Sequence, residues 1–161
     1  RILLALGIAA ILLSACDDSR VYEQISDFEN RQWISTDKPQ FEFIIKDINQ
    51  QYNLYSDIRN SVSYPYSRFF FTYYLQDSTG ADLQKSLITE FLFDAKTGKP
   101  YGKSGIGDLY DHRFLLLENY QFQYEGKYRV VFEQFMRMDT LQGIMSVGLR
   151  VERSEKAKTN P

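Results

Sequence analysis

Apolar side chains recur at every second position in several short segments of this chain, and this alternation constrains the fold more than any other feature. In the clearest segment the apolar residues are Met145, Val147, Leu149 and Val151. Residues 41–45 and 128–132 repeat the pattern. Successive side chains of a β-strand point to opposite faces, so each segment predicts a strand with one face in a core. Aromatic residues, 16% of the chain, also favour pleated and half-buried surfaces.

Residues 69–74 are apolar at nearly every position, which predicts a strand in the middle of a sheet. The predicted strands are separated by segments rich in turn-forming residues, at residues 77–80, 94–100 and 124–127. Outside the first 15 residues, no long segment has helical periodicity. About eight short strands with turns at this spacing predict a single all-β domain at residues 31–153. We expect an antiparallel β-sandwich, with a jelly roll as one form that it could take.

A different signal lies near the start of the chain, where the apolar residues 2–13 lead into Leu-Ser-Ala-Cys at residues 13–16. The apolar segment is too short for the roughly 20 residues that span a bilayer, and Arg1 supplies the positive flank of a secretory signal. A leucine and two small residues before a cysteine form a lipobox. The sequence therefore predicts a lipoprotein signal peptide at residues 1–15, cleavage before Cys16 and acylation of Cys16, with palmitate among the fatty acids. An ordinary signal peptide cut near the same point, leaving a free thiol, is the alternative.

Cys16 is the only cysteine, so its acylation would leave the mature chain without a thiol for a disulfide or a metal. One acyl chain holds a protein on a membrane only marginally, whereas several chains anchor it stably. Polar residues follow the cysteine, and we expect residues 16–30 to form a tether and an entry segment. At the other end, residues 154–161 have no apolar face, which predicts a disordered tail.

The charge balance and one loop motif argue against nucleic acids and nucleotides as partners. The chain has 19 basic and 21 acidic residues and a net charge of -2, without a basic stripe that would attract nucleic acid. Residues 97–104 end like a P-loop, but Thr97 stands where that motif needs glycine. Further glycines follow where the helix of a P-loop should begin. We therefore expect neither nucleic acid nor a nucleotide to bind.

His112 is the only histidine, and one imidazole combined with carboxylates matches no usual zinc ligand set. Asp108, Asp111 and Ser104 are close to it in sequence, but no GxSxG motif is present and nothing places a base beside a nucleophile. We interpret these polar residues as solvated loop residues. The sequence thus predicts no catalytic residue, no metal site and no cofactor, and we do not expect an enzyme.

Two pairs of opposite charge supply candidate docking residues. Arg137 and Asp139 are two positions apart, so on a strand they would share a face. Arg59 and Asp57 repeat this arrangement. Such residues could hold strands in register through cross-strand ion pairs, or they could meet a partner together. The first interpretation is favoured.

Tyr64, Pro65 and Tyr66 predict a rigid aromatic turn. Exposed tyrosines could stack on a sugar ring or fill a pocket of a partner, so Tyr64 and Tyr66 are also candidate docking residues. The same residues could instead form a plug that closes one end of the sandwich.

Several features, taken in order along the chain, resemble a known family. They are the lipobox cysteine, Trp33 with Asp37, residues 58–60 and 64–66, the glycine-rich loop at residues 98–107, and the segments at residues 136–144 and 147–149. This set is similar to the gliding-motility lipoprotein family GldH of the Bacteroidetes and extends over nearly the whole chain after Cys16. The order and spacing of the motifs, which end in Met-Arg-x-Asp-x-Leu-x-Gly-Ile, make the resemblance fairly specific. Arg68 departs from the family pattern, in which asparagine is expected.

The resemblance implies a cell-envelope lipoprotein that is required for gliding motility and works with the machinery that also drives type IX protein secretion. It brings no catalytic residues, which implies an accessory or scaffold protein with envelope proteins as partners. It implies attachment to the outer membrane through Cys16, on the periplasmic face. The acidic residues Asp17 and Asp18 leave exposure at the cell surface open. A glycan-binding β-sandwich lipoprotein, using the tyrosine-rich turns, is the alternative function.

Overall fold

The computed structural model describes residues 17–154, which form an almost entirely β fold. The predicted signal peptide at residues 1–15, the predicted lipidation site Cys16 and residues 155–161 of the predicted tail lie outside the described residues. From residue 17 to residue 154, no helix is long and apolar enough to cross a bilayer. Within the same part of the chain, the helical element is a short 3-10 turn at Glu29–Arg31.

The described residues contain eleven strands in three antiparallel sheets. Their bounds are β1 Arg20–Asp27, β2 Gln32–Ile34, β3 Gln40–Ile45, β4 Tyr52–Ser61, β5 Arg68–Gln76, β6 Asp82–Phe91, β7 Lys103–Ser104, β8 Leu109–Tyr120, β9 Gly126–Gln134, β10 Thr140–Gln142 and β11 Ile144–Arg153. One sheet has the order β1-β11-β4-β8-β7, a second has the order β3-β9-β5-β6, and β10 pairs with β2 in a small ribbon. The predicted all-β sandwich fold is confirmed.

The eight longest of these strands are arranged as a jelly roll. They form the row β1-β11-β4-β8 in one sheet and the row β3-β9-β5-β6 in the other. The prediction of about eight strands agrees with these eight long strands. The remaining strands β2, β7 and β10 have only two or three residues each, which is too short for apolar alternation to be recognised.

The core lies between the inner faces of the two large sheets. On β11, Val147 and Leu149 have no exposed surface, in agreement with the alternation of that segment. β5 lies between β9 and β6, and its Phe69 is fully buried, which confirms the strand predicted in the middle of a sheet. The two sheets meet through aromatic contacts, for example between Tyr22 of β1 and Phe43 of β3, whose ring centroids are 5.8 Å apart.

The structure corrects the tether predicted at residues 16–30. Residues 20–27 form β1, which pairs with β11 along its length. β1 is an edge strand without a fully buried residue, so its sequence lacks the apolar alternation that predicts other strands. At the other end, Ser154 is buried and its N–H donates to the carbonyl of Gln51, so Ser154 belongs to the folded domain rather than to the predicted tail. The folded domain thus extends over residues 20–154 rather than 31–153.

Tyr64 lies in the segment between β4 and β5 and belongs to the core. Its side chain is 4% exposed, and its hydroxyl donates a hydrogen bond to the carbonyl of Arg68 at 2.7 Å. Gly143, between β10 and β11, has φ +82, a left-handed conformation that favours glycine. A Cβ on Gly143 would lie 2.6 Å from the Cα of Tyr64. The two backbones are in direct contact here, and a side chain at Gly143 has no room.

We predict that Gly143→Ala lowers the free energy of unfolding by about 3 kcal/mol, because a clash with the Tyr64 backbone adds to the cost of a positive φ. Gly80→Ala is the matched control, since Gly80 has φ +86 and nothing lies within 4 Å of an added Cβ. That variant should lose about 1 kcal/mol, which is the conformational cost alone. Urea unfolding followed by the fluorescence of the buried Trp33 measures both losses. Equal losses would contradict the packing argument.

Candidate functional site

Ion pairs join neighbouring strands across the outer face of the five-stranded sheet. Arg59 of β4 donates two hydrogen bonds to Asp111 of β8, from Nε at 2.6 Å and from Nη2 at 3.2 Å. Arg113 of β8 binds Asp57 of β4 in the same way, at 2.6 and 2.8 Å. Each arginine is the direct register partner of its aspartate. Arg59 and Asp57 therefore each bind β8 rather than one another.

These two ion pairs follow from a short sequence repeat. Residues 57–59 and residues 111–113 both have the pattern Asp-x-Arg. When two such segments pair antiparallel, each aspartate faces an arginine. The charge pair predicted at Asp57 and Arg59 rests on the first segment alone and does not include this complementarity. Comparison of the two segments would have predicted the pairing of β4 with β8 and its register.

A cleft of about 600 Å³ opens beside these ion pairs. Gly148 of β11 lies between Ile25 of β1 and Asp57 of β4 in the register of the sheet. A Cβ on Gly148 would lie 3.0 Å from Cγ1 of Ile25 and 3.4 Å from Cβ of Asp57, so these two side chains pack around Gly148. Arg113 also extends to Glu23 of β1, at 2.9 Å. The cleft thus has a charged wall that connects β8 with β1.

Three of the apolar and aromatic side chains that line the cleft are accessible to solvent. Ile25 is 55% exposed, Phe91 is 40% exposed and Tyr101 is 59% exposed. Exposed aromatic side chains beside arginines are enriched in protein–protein interfaces. The cleft combines this apolar surface with side chains whose charges are already held in place.

Arg150 of β11 contacts three carboxylates on the same face. Its guanidinium binds Asp17 and Glu152, and its Nη1 lies 3.0 Å from Oε2 of Glu23. The Arg150 side chain is only 9% exposed. Burial acts to lower the pKa of Arg150, but hydrogen bonds to the three carboxylates outweigh burial and raise it. The guanidinium therefore stays charged and holds together acidic groups that would otherwise repel one another.

Asp17, the first described residue, is bound to the folded domain at this cluster. Its carboxylate accepts hydrogen bonds from the hydroxyl of Ser19 and from Arg150, which lower the pKa of Asp17 to about 2. Arg153 donates to the carbonyl of Asp18 at 2.7 Å, and its backbone N–H donates to Ser19. The acidic start of the predicted tether, at Asp17 and Asp18, is therefore fixed against β11.

His112 belongs to the inside of the sandwich, which corrects its interpretation as a solvated loop residue. It lies on β8, is 8% exposed, and its Nε2 is 2.8 Å from Oδ1 of the buried Asn60. Burial lowers the pKa of His112, although Asp111 acts to raise it. The backbone of Gly102 packs on the ring, since a Cβ there would lie 2.6 Å from Nε2. His112 is thus a packed and hydrogen-bonded residue at the back of the cleft.

Asp108 and Ser104, which are close to His112 in sequence, do not join it in one cluster. Asp108 pairs with Arg31 at 3.2 Å. Ser104 is exposed and belongs to β7, so a strand stands where a P-loop would have its helix. Across residues 17–154, no three or more His, Cys, Asp or Glu side chains are placed so that they could hold a metal ion.

The candidate docking residues that the sequence suggests lie in three separate parts of the structure. Arg59 lines the cleft. Tyr64 is buried and is not available to stack on a sugar, while Tyr66 is 41% exposed and packs edge-on against it, with ring centroids 5.7 Å apart. Arg137 and Asp139 lie in the bend between β9 and β10 rather than on a strand, which corrects that prediction. The positive φ of Arg137, +56, breaks the extended backbone at this point.

We predict that Arg150→Met lowers the free energy of unfolding at pH 7 by about 2 kcal/mol, because three carboxylates lose the cation that they share. Arg59→Met is the comparison variant, since it removes a single ion pair whose side chains are 43% and 42% exposed. The expected loss for that variant is below about 1 kcal/mol. Chemical unfolding of both variants at the same ionic strength measures the difference.

The pH dependence separates charge repulsion from a simple loss of packing. The pKa values of Asp17 and Glu23 are lowered in the folded protein, from usual values of 3.8 and 4.5. The folded state therefore binds fewer protons than the unfolded state, and wild-type stability should fall as the pH drops from about 4.5 to about 2. The deficit of Arg150→Met should shrink over the same range, because protonated carboxylates no longer repel one another. A deficit that stays constant with pH would show that lost packing, not charge, is responsible.

Comparison with known proteins agrees with the family that the motifs resemble. The family model described as GldH lipoprotein matches residues 20–151. The gliding motility lipoprotein GldH homolog of Christiangramia forsetii is 31% identical over 152 residues, which cover 90% of this chain and 91% of the relative. The gliding motility lipoprotein GldH of Flavobacterium johnsoniae is 26% identical over 155 residues, which cover 92% and 94%.

Likeness to solved structures is weak by comparison. The VP2 subviral particle of infectious bursal disease virus aligns with 86% of this chain and 34% of its own, at 14% identity and a TM-score of 0.41. A score of that size carries no argument about this protein. The family model and the two relatives each match most of the chain, and all the motifs that resemble the family, except the lipobox cysteine, lie within residues 20–151. This chain therefore belongs to the GldH lipoprotein family.

Proposed function

We propose that this protein is a non-catalytic scaffold of the cell envelope that docks proteins of the gliding and type IX secretion machinery. In this proposal acylated Cys16 holds it on the periplasmic face of the outer membrane. The names of its relatives support a gliding-motility lipoprotein. The scaffold role is supported chiefly by one observation, the row of cross-strand ion pairs beside an open cleft on the five-stranded sheet.

The ion pairs contribute little to the stability of the fold, but their fixed charges can contribute to the recognition of a partner. Arg59 and Asp111 are each more than 40% exposed, and surface pairs of this kind contribute at most about 1 kcal/mol to stability. Their bidentate geometry nevertheless fixes where each charge stands. A fixed charge pattern selects a partner and accelerates its association. The exposed Ile25 and Tyr101 add apolar contact area beside that pattern.

Anchoring through Cys16 gives the first test. We predict that Cys16→Ala releases the protein from the membrane fraction and abolishes colony spreading, because the acylated thiol is lost. Ser14→Ala is the control, since it keeps the cysteine and a small residue before it. Fractionation, mass spectrometry of the mature N-terminus and spreading assays measure the outcome. Full spreading with soluble Cys16→Ala protein would show that the anchor is not required.

The docking face gives the second test. We predict that the exchange Arg59→Asp with Asp111→Arg leaves stability within about 1 kcal/mol of the wild type, because the ion pair is retained in reverse. The same exchange should reduce colony spreading and the recovery of co-purifying envelope proteins, because the charge pattern that meets the partner is inverted.

The control for this exchange lies on the other sheet. Glu42 of β3 and Arg129 of β9 are register partners joined at 2.9 Å. The exchange Glu42→Arg with Arg129→Glu alters the surface to the same extent but away from the cleft. Spreading should remain normal in this variant. Equal defects in both exchanges, or a defect in neither, would exclude the proposed docking face.

A further inference from the structure

β6 is an open sheet edge of ten residues. It pairs with β5 on one side and ends the four-stranded sheet on the other. None of its residues is buried, and it contains no proline or glycine to interrupt an added strand. A sheet edge of this length presents unpaired N–H and C=O groups, which are a template for pairing with another chain.

The backbone groups that face the open edge can be identified from the hydrogen bonds around β5. The carbonyl of Phe70 accepts from Phe135, so Phe70 bonds away from β6. In an antiparallel pair, alternate residues bond to opposite neighbours. The residues of β6 that bond to β5 are therefore Ile88 and Glu90, the register partners of Phe71 and Phe69. The N–H and C=O groups of Leu87 and Thr89 consequently point to the open edge.

β6 departs from an ordinary strand of a sandwich, because Ile88 is the one apolar residue of its inner row at residues 84–90. Three of the positions on the inner row carry polar residues, namely Gln84, Ser86 and Glu90. The outer row carries Leu87 and Phe91, which are 49% and 40% exposed, together with Lys85 and Thr89. Apolar residues on the solvent face of an edge strand have no role in the core of this domain. Leu87 and Phe91 form an exposed apolar row, with Thr89 between them, next to the unpaired backbone.

A groove of about 380 Å³ continues this apolar row. It is lined by Phe70, Leu87, Phe135, Met136 and Arg137. Phe135 is 49% exposed, and the groove opens to solvent. Arg137 is exposed and forms no ion pair with any residue between 17 and 154. The groove thus offers an apolar floor with a positive charge at its rim.

We propose that β6 receives an extended strand of another protein, which adds to the sheet edge and places an apolar side chain in this groove and a carboxylate at Arg137. Strand addition obtains affinity from main-chain hydrogen bonds and specificity from pockets for alternate side chains. Both elements are present together here. The carboxylate follows from charge complementarity with Arg137. This inference rests on the proposed scaffold function and gives it a second, chemically defined docking surface.

The test uses the full chain in detergent and a synthetic probe. The probe is an eight-residue peptide that alternates valine and threonine, with a central phenylalanine and an aspartate at one end. A control peptide has lysine in place of the aspartate. The probe should bind with a Kd below about 1 mM, and the control peptide about tenfold more weakly, because it repels Arg137.

Amide hydrogen exchange measured by NMR identifies where the probe lies. The amides of Leu87 and Thr89 should exchange at least about tenfold more slowly with the probe bound, because they gain partners at the edge. The amides of Ile88 and Glu90 should change little, since they already bond to β5. Binding without protection of Leu87 and Thr89 would overturn the proposal, as would the absence of binding.

Two variants with matched controls complete the test. Thr89→Pro removes an outward N–H at an edge position where proline is tolerated, whereas Thr89→Ala keeps it. Probe affinity should fall about tenfold in the first and stay near wild type in the second. Arg137→Glu should weaken binding of the aspartate probe about tenfold, and Arg137→Asn less, since asparagine accepts the left-handed backbone without the reversed charge.

Two further outcomes have a clear meaning. Slow exchange of the Leu87 and Thr89 amides without any probe, together with dimers in sedimentation, would show that a second copy occupies the edge, and it would overturn the proposed partner.

The peptide assay does not depend on acylation or on spreading. If Thr89→Pro loses the probe while cells spread normally, strand addition stands and its use in gliding fails. If spreading is lost with Cys16→Ala but no probe binds, only the strand-addition proposal fails.

Discussion

Burial of aromatic rings between the two sheets is the interaction on which the rest of this structure depends. The single cysteine allows no disulfide within the chain, so packing has to hold the sheets together. Phe122 shows how it does so, with ring centroids 5.9 Å from Phe43, 5.5 Å from Tyr52 and 4.5 Å from Tyr128. These partners belong to β3, β4 and β9, and thus to both sheets. Each buried ring of this kind contributes about 2 to 3 kcal/mol.

Strands with one buried face could be predicted from the sequence, and edge strands could not. The alternation in β11 follows directly from its inner row of Val147, Leu149 and Val151, which the core requires. β1 has no fully buried residue, so its formation depends on hydrogen bonds to β11 that leave no trace in the apolar pattern. β6 shows the second difficulty. Its apolar residues Leu87 and Ile88 are consecutive, so the sequence does not indicate which face is buried, and Leu87 lies on the outer face.

The candidate site was only partly predictable because its residues come from distant parts of the chain. Arg59 could be selected as one half of a charge pair, but its partner Asp111 is 52 residues away. Arg150 binds Asp17, which is 133 residues away in the sequence. Its position on the polar face of an amphipathic strand gives no indication of this contact. Local spacing also misled in one case, since Arg137 and Asp139 would share a face only on a strand. The bend at Arg137 depends on its left-handed backbone, which residue type alone does not indicate.

Asp17 is bound to Arg150 and Asp18 to Arg153. These contacts leave no flexible linker at residues 17 and 18, whereas a lipid-anchored domain commonly has one. A flexible linker of twenty residues would let a domain explore about 25 Å around its lipid. With acyl chains on Cys16, a single peptide bond would join the acylated residue to Asp17, which is already bound to the folded domain. The domain would move with its lipid as a single body in the plane of the bilayer. In that arrangement, a protein that recognises this domain would have to present its own contact surface within one domain height of the membrane.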